Sequence, residues 1–222
     1  MPRGRIVCIG TWTFSTKQAA ESHIRAILAR SGLGVDCPLR GEDAAFVHAL
    51  MERHPHWKFI EPCGVKYFFV QQVPTNPEQR RFVLVKKDDS WWDGGWRNAL
   101  TPRSARQQVQ HTLRHYIRPQ ILAFRDANFN GVCATCPALI ADCEVDHTWP
   151  VTFEVLVDSW LHSVRLTPEE ITIIPSTQYE VASVLEDDLL AESWLEYHEI
   201  NARLRCLCKK CHQSTPRMKV AV

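Results

Sequence analysis

Cys133-Ala134-Thr135-Cys136, then Val145-Asp146-His147-Thr148-Trp149-Pro150, then Cys208-Lys209-Lys210-Cys211-His212 are the stretches that organise this chain. Two Cys-x-x-Cys knuckles suit one tetrahedral zinc site, because each tight turn offers two thiolates. Closing that site joins segments roughly 70 residues apart, so metal binding would help define the fold between them. Asp146, His147 and His212 flank the knuckles without being needed for that zinc. They are spare metal-binding and acid–base groups beside a rigid clip.

The combination Cys133/Cys136, Asp146-His147-Thr148-Trp149-Pro150, Cys208/Cys211 and His212 resembles the HNH (ββα-metal) endonuclease family in its zinc-carrying version. The resemblance implies a catalytic divalent ion, Mg²⁺ or Mn²⁺, held by Asp146 and His212, with His147 activating water. A neutral imidazole suits that role because its pKa lies near neutrality. The family's central residue, usually Asn, falls here on Arg203, with Asn201 and His198 as neighbouring candidates. A related subgroup shares Asp146-His147-x-x-Pro150-x-x-Phe153 and Trp194-x-x-Tyr197-His198-x-x-x-Ala202-x-Leu204-Arg205, which favours His198.

Length and composition set the frame. A chain of 222 residues can bury one good core or two small ones. A formal net charge of +1 gives no global basic field, so a DNA surface would be a local patch. Of 9 cysteines, four belong to the knuckles. Cys206 alternates with Cys208 along a strand and should face the other way, and Cys143 reads as a small apolar residue. The short apolar run after Arg5 does not make a signal peptide, and no run reaches transmembrane length. A reducing cytoplasm with thiolate–zinc chemistry is the expected setting.

The N-terminal part reads as a small α+β unit. Arg5 to Gly10 is a short strand, Ser15 caps a helix over 16–30, and a second helix runs over 42–53 until His54-Pro55 stops it. Strands over 65–71 and 81–87 flank the polar turn Pro74-Thr75-Asn76-Pro77. The order resembles the DCL-like domain, through Phe14-Ser15-Thr16-Lys17, His54-Pro55, Gly64-Val65-Lys66-Tyr67-Phe68, Arg81-Phe82 and Asp88-Asp89-Ser90. Trp91, Trp92 and Trp96, with Gly94 and Gly95 between, offer either core packing or an aromatic platform for a base, modified bases included.

Thr101-Pro102 opens a helix to about residue 126, kinked at Pro119 and basic through Arg103, Arg106 and Arg114. It is either a solvated linker or a phosphate-contacting face. The insertion between Asp146-His147 and the second knuckle holds a helix over 153–164 and an acidic one over 186–202.

The expectation is an α+β protein in three parts: 1–100 DCL-like, 101–127 a linking helix, and 128–222 a zinc-stabilised nuclease domain with a helical insertion. Its expected function is metal-dependent DNA cleavage in restriction, defence or phage DNA processing, without a membrane. One site cuts one strand, so a double-strand break calls for a homodimer or two visits. The rivals are a non-catalytic zinc module that grips nucleic acid or protein, and an RNA-directed nuclease.

Overall fold

A computed structural model describes residues 6–74, 76–176 and 183–214, an α+β chain. Arg5 and Thr75, expected at a strand start and in a turn, lie outside the described residues. The chain divides into two compact units, Met1–Arg103 and Ser104–Val222.

In the first unit, β1 (Val7–Ile9) and β2 (Trp12–Phe14) pair as a hairpin. Gly10 turns it at φ +54, and a Cβ there would meet Ala49 Cβ at 2.9 Å, so no other residue fits unaltered. Helix α1 (Lys17–Arg30) is capped one residue later than expected, by Thr16, whose Oγ1 accepts from the Ala19 amide at 3.1 Å. Its Ala20, Ile24, Ile27 and Leu28 fall on one face and are buried. They meet Phe46, Val47, Leu50 and Met51 of α2 (Gly41–Met51). A single turn, α3 (Trp57–Ile60), leads to β3 (Val65–Val73) and β4 (Asn76–Lys86), which pair antiparallel, with β5 (Trp91–Trp92) on the far side of β4. Strand β3 runs up to the expected turn and β4 begins inside it, since Val73 pairs with Asn76. Alternation sorts their side chains: Phe68, Val70, Phe82 and Leu84 enter the main core, while Phe69, Val83 and Val85 form a small cluster on the other face. Helix α4 (Trp96–Leu100) closes this core with Trp96, Ala99 and Leu100.

The second unit begins where a linker was expected. Ser104, not Thr101, caps α5 (Ala105–Tyr116) in a full capping box with Gln107. Pro119 starts a new helix, α6 (Arg118–Asn128), rather than kinking one; a ring without an N–H suits a first turn. Val109, Leu113 and Ile117 are buried in this unit's core, so the segment is structural to the unit. Strand β6 (Glu144–His147) precedes α7 (Phe153–Val164), whose bounds match the expected helix and whose Thr152 cap accepts from Val155. The stretch Thr167-Pro168-Glu169-Glu170 forms a turn and no helix. Its β-branched continuation forms β7 (Ile173–Pro175), paired with β8 (Ser183–Leu185). Then come α8 (Asp188–Asn201), β9 (Leu204–Leu207) and α9 (Lys209–Ser214).

Trp160 and Trp194 are fully buried and their indole N–H groups donate to Ser193 Oγ and the Leu113 carbonyl, so neither carries an unpaired donor. Truncating either to Ala would cost about 3–5 kcal/mol. No helix among the described residues is long and apolar enough to cross a membrane.

Candidate metal centre and histidine site

Strand β6 returns to β9 antiparallel, with Asp146 opposite Arg205 and His147 opposite Leu204. Helix α9 follows directly and packs against both strands. The first knuckle is tied to the same sheet, because the Ala134 amide donates to the Cys206 carbonyl at 2.9 Å.

Cys133, Cys136, Cys208 and Cys211 bring their Sγ atoms within 4.8 Å of one another, with Cys136 and Cys208 3.9 Å apart. Sulfurs about 2.3 Å from a zinc ion would stand at tetrahedral edges of about 3.8 Å, so the cluster could hold a metal ion such as zinc. Backbone hydrogen bonds at Cys208 and Thr135 draw the Cys133 thiol down to about 6, whereas the neighbouring thiols Cys136 and Cys208 push Cys211 up to about 12. Thiols so crowded resist joint ionisation, and a bound cation would remove that resistance. Cys143 and Cys206 are buried outside the cluster, and burial, then Cys206, pushes the Cys143 thiol up to about 12.

His147 ends β6, and its ring meets His198 of α8, Nε2 to Nε2 at 2.9 Å. His198 is 1% exposed, and its Nδ1 lies 2.6 Å from Gln120 Oε1 of α6. Burial pulls both imidazoles down to about 4; Arg114 lowers His147 further while Asp146 and Glu154 oppose, and His147 lowers His198 further. Both are therefore neutral at pH 7. Asn201 donates instead to the Tyr197 carbonyl of its own helix, and exposed Arg203 donates to the Ile200 and Ala202 carbonyls. Of the three central candidates, only His198 hydrogen-bonds to His147 among the described residues.

Asp146 is ion-paired with Arg205, which donates to Oδ2 at 2.8 and 3.2 Å. His212 sits half-buried on α9, its amide donating to the Cys208 carbonyl. Among the described residues, Asp146, His147 and His212 do not close into a three-ligand group as the cysteines do. Sequence reasoning gave the motif residue Arg205 no role and missed Gln120. Register opposite Asp146 could have suggested the first; no motif marks the second.

The basic helix face is largely engaged. Arg106 pairs with Asp158 at 2.6 Å, and Arg114 reaches Glu154 at 3.3 Å while its guanidinium covers the Phe153 ring at 4.2 Å. Arg103 ends the first unit and lowers the His54 pKa. The three tryptophans do not form one platform: Trp96 is 5% exposed in the core, Trp92 packs edge-on against His54, and Trp91, 55% exposed, lies against Phe69. Two guanidiniums instead lie over the Trp96 ring, Arg97 at 4.4 Å and Arg25 at 5.7 Å. They share an open groove of about 460 Å³ with Arg80 and Glu78, and neither has a carboxylate partner among the described residues.

Residues 25–100 match the family described as a protein of unknown function, DUF3223. No curated protein matches the chain. Among solved structures, the chain is similar to the solution NMR structure of an uncharacterized protein from Rhodospirillum rubrum, with 21% identity, 45% of this chain and 91% of that chain covered, and a TM-score of 0.39.

Proposed function

We propose that the chain is a metal-dependent DNA endonuclease of the HNH (ββα-metal) type, clipped by a four-cysteine zinc site and preceded by a DCL-like module. The observation that carries this reading is the order β6, β9, α9. Asp146 and His147 stand on one strand, and His212 on the helix packed against it, next to Cys211 of the four-cysteine cluster.

Asp146 Oδ1 and the His212 ring would hold Mg²⁺ or Mn²⁺. Neither has a hydrogen-bond partner among the described residues, and an oxygen-plus-imidazole set with open positions fits such an ion. When bound, the ion supplies charge relief for the leaving oxygen. His147, kept neutral by burial, takes the proton of the attacking water, and His198 holds its ring in place. The arginine groove of the first unit suits phosphate contacts better than the tryptophans do, since Arg25 and Arg97 have no ion-pair partner among the described residues and Glu78 is the one acidic residue lining it. Restriction, defence or phage DNA processing are the settings this chemistry serves.

One contact favours a second reading, a zinc module that grips nucleic acid without cutting it: Arg205 already gives Asp146 a counter-ion. The two separate in a digest of supercoiled DNA and folded RNA with Mg²⁺, Mn²⁺ or neither, using the wild type and Asp146→Asn. The nuclease reading expects metal-dependent nicking of DNA, lost in the variant. DNA bound yet uncut under every metal would select the non-catalytic module, and cleavage confined to RNA would change the substrate.

A further inference from the structure

We infer that Gln120 is a positioning residue that dictates, through His198, which nitrogen of His147 carries its proton. The chain of hydrogen bonds leaves one consistent arrangement. Gln120 Nε2 lies 2.9 Å from the Leu195 carbonyl, and an amide nitrogen is the only end of that side chain able to donate to it. This fixes the amide's orientation and turns Oε1 toward His198 Nδ1, 2.6 Å away. A carbonyl oxygen only accepts, so His198 Nδ1 bears the hydrogen. His198 is buried and has no carboxylate among its hydrogen-bond partners, so it is the neutral ring and has a single N–H. Its Nε2 is then a lone pair and accepts from His147 Nε2–H across 2.9 Å. His147 in turn is left with its lone pair on Nδ1.

Three elements far apart in sequence thus set one atom: α6 supplies Gln120, α8 supplies both Leu195 and His198, and β6 supplies His147. The consequence for rate rests on the nuclease reading, in which Nδ1 becomes the atom that takes the proton from water. The tautomer itself does not depend on that reading. Another tautomer would leave either Gln120 Oε1 or the His147–His198 contact without a hydrogen, beside the buried His198 ring.

Long-range ¹H–¹⁵N spectra of the ¹⁵N-histidine-labelled full chain at pH 7 read the tautomers directly. The wild type should show His147 as the Nε2–H form and His198 as the Nδ1–H form. Gln120→Met removes the acceptor and should release both rings into tautomer mixtures, with DNA nicking reduced about 10- to 100-fold. Gln120→Glu keeps an acceptor oxygen and should keep His198 protonated at Nδ1. A wild-type His147 protonated at Nδ1 overturns the inference, whether or not the variants fold. So do unchanged tautomers in folded Gln120→Met. A wild type with the expected tautomers and no nicking would overturn the nuclease reading alone.

Discussion

Two histidine pairs, one in each unit, look alike until their nitrogens are followed. His54 and His56 stand with ring centroids 5.1 Å apart, His147 and His198 at 5.2 Å. Burial lowers all four imidazoles, His54 to about 3 and the others to about 4. In the first pair, His54 Nδ1 accepts the backbone N–H of His56, and the His54 ring packs against Trp92. That nitrogen's lone pair is committed to the backbone. In the second pair the ring nitrogens face each other and the chain of bonds ends on Gln120. Burial and ring spacing alone do not tell the two pairs apart; the direction of their ring nitrogens does.

The largest expected difference between the pairs is their dependence on metal. Structural zinc contributes about 10–16 kcal/mol of apparent folding free energy in small domains, comparable to a whole domain's stability. Chelation, or Cys133→Ser with Cys208→Ser, should therefore raise amide hydrogen exchange across residues 104–214 and leave the core around His54 protected. Unchanged exchange in the second unit would separate the His147–His198 pair from the cysteine cluster.

Next come the proposed ligands. Asp146→Asn and His212→Ala should each slow nicking by about 100-fold or more while the zinc content, measured by elemental analysis, stays at the wild-type value. Loss of zinc along with activity would place these residues in the structural site instead.

Acid should strike the first pair through its own titration. The folded pKa values of His54 and His56 lie below the unfolded 6.5, so the unfolded chain binds more protons in between. Their contribution is complete above pH 6.5 and fades as pH falls toward 4 and then 3, on the order of a few kcal/mol in all. Thermal melting of His54→Asn should depend less on pH across that window than the wild type does. Equal slopes would mean that His54 titrates normally.

The smallest effect concerns the groove over Trp96. Arg25→Glu with Arg97→Glu should weaken binding of a short duplex and flatten its dependence on log salt by about 2, one for each lost phosphate contact. Anisotropy titrations at several salt concentrations measure both. An unchanged slope would remove the groove from the DNA surface.

What could be read beforehand followed the range of the physical signal. The knuckles were legible because each pair of thiols sits in one turn, and α7 because Phe153, Leu156, Val157, Trp160 and Leu161 recur at helical spacing. Asp187 caps α8 beside its acidic first turn, so that helix too was within reach. Trp96 was legible only as core or platform; the structure gives core, because Gly95 caps a helix that turns the indole inward. Pro119 misled because the same ring kinks one helix or begins another, and only the core contacts of Val109, Leu113 and Ile117 decide which. His198 could be narrowed to one of three positions but not chosen by spacing alone. Gln120 was invisible, since its importance lies wholly in a contact 78 residues away.

Plasmid nicking in Mg²⁺ or Mn²⁺ by the wild type, His147→Ala and His54→Asn tests the central claim most directly. The account predicts relaxed circles from the wild type and His54→Asn, and a rate about 10²- to 10⁴-fold lower from His147→Ala. Intact plasmid from the wild type in either metal, or equal nicking by all three proteins, would contradict it.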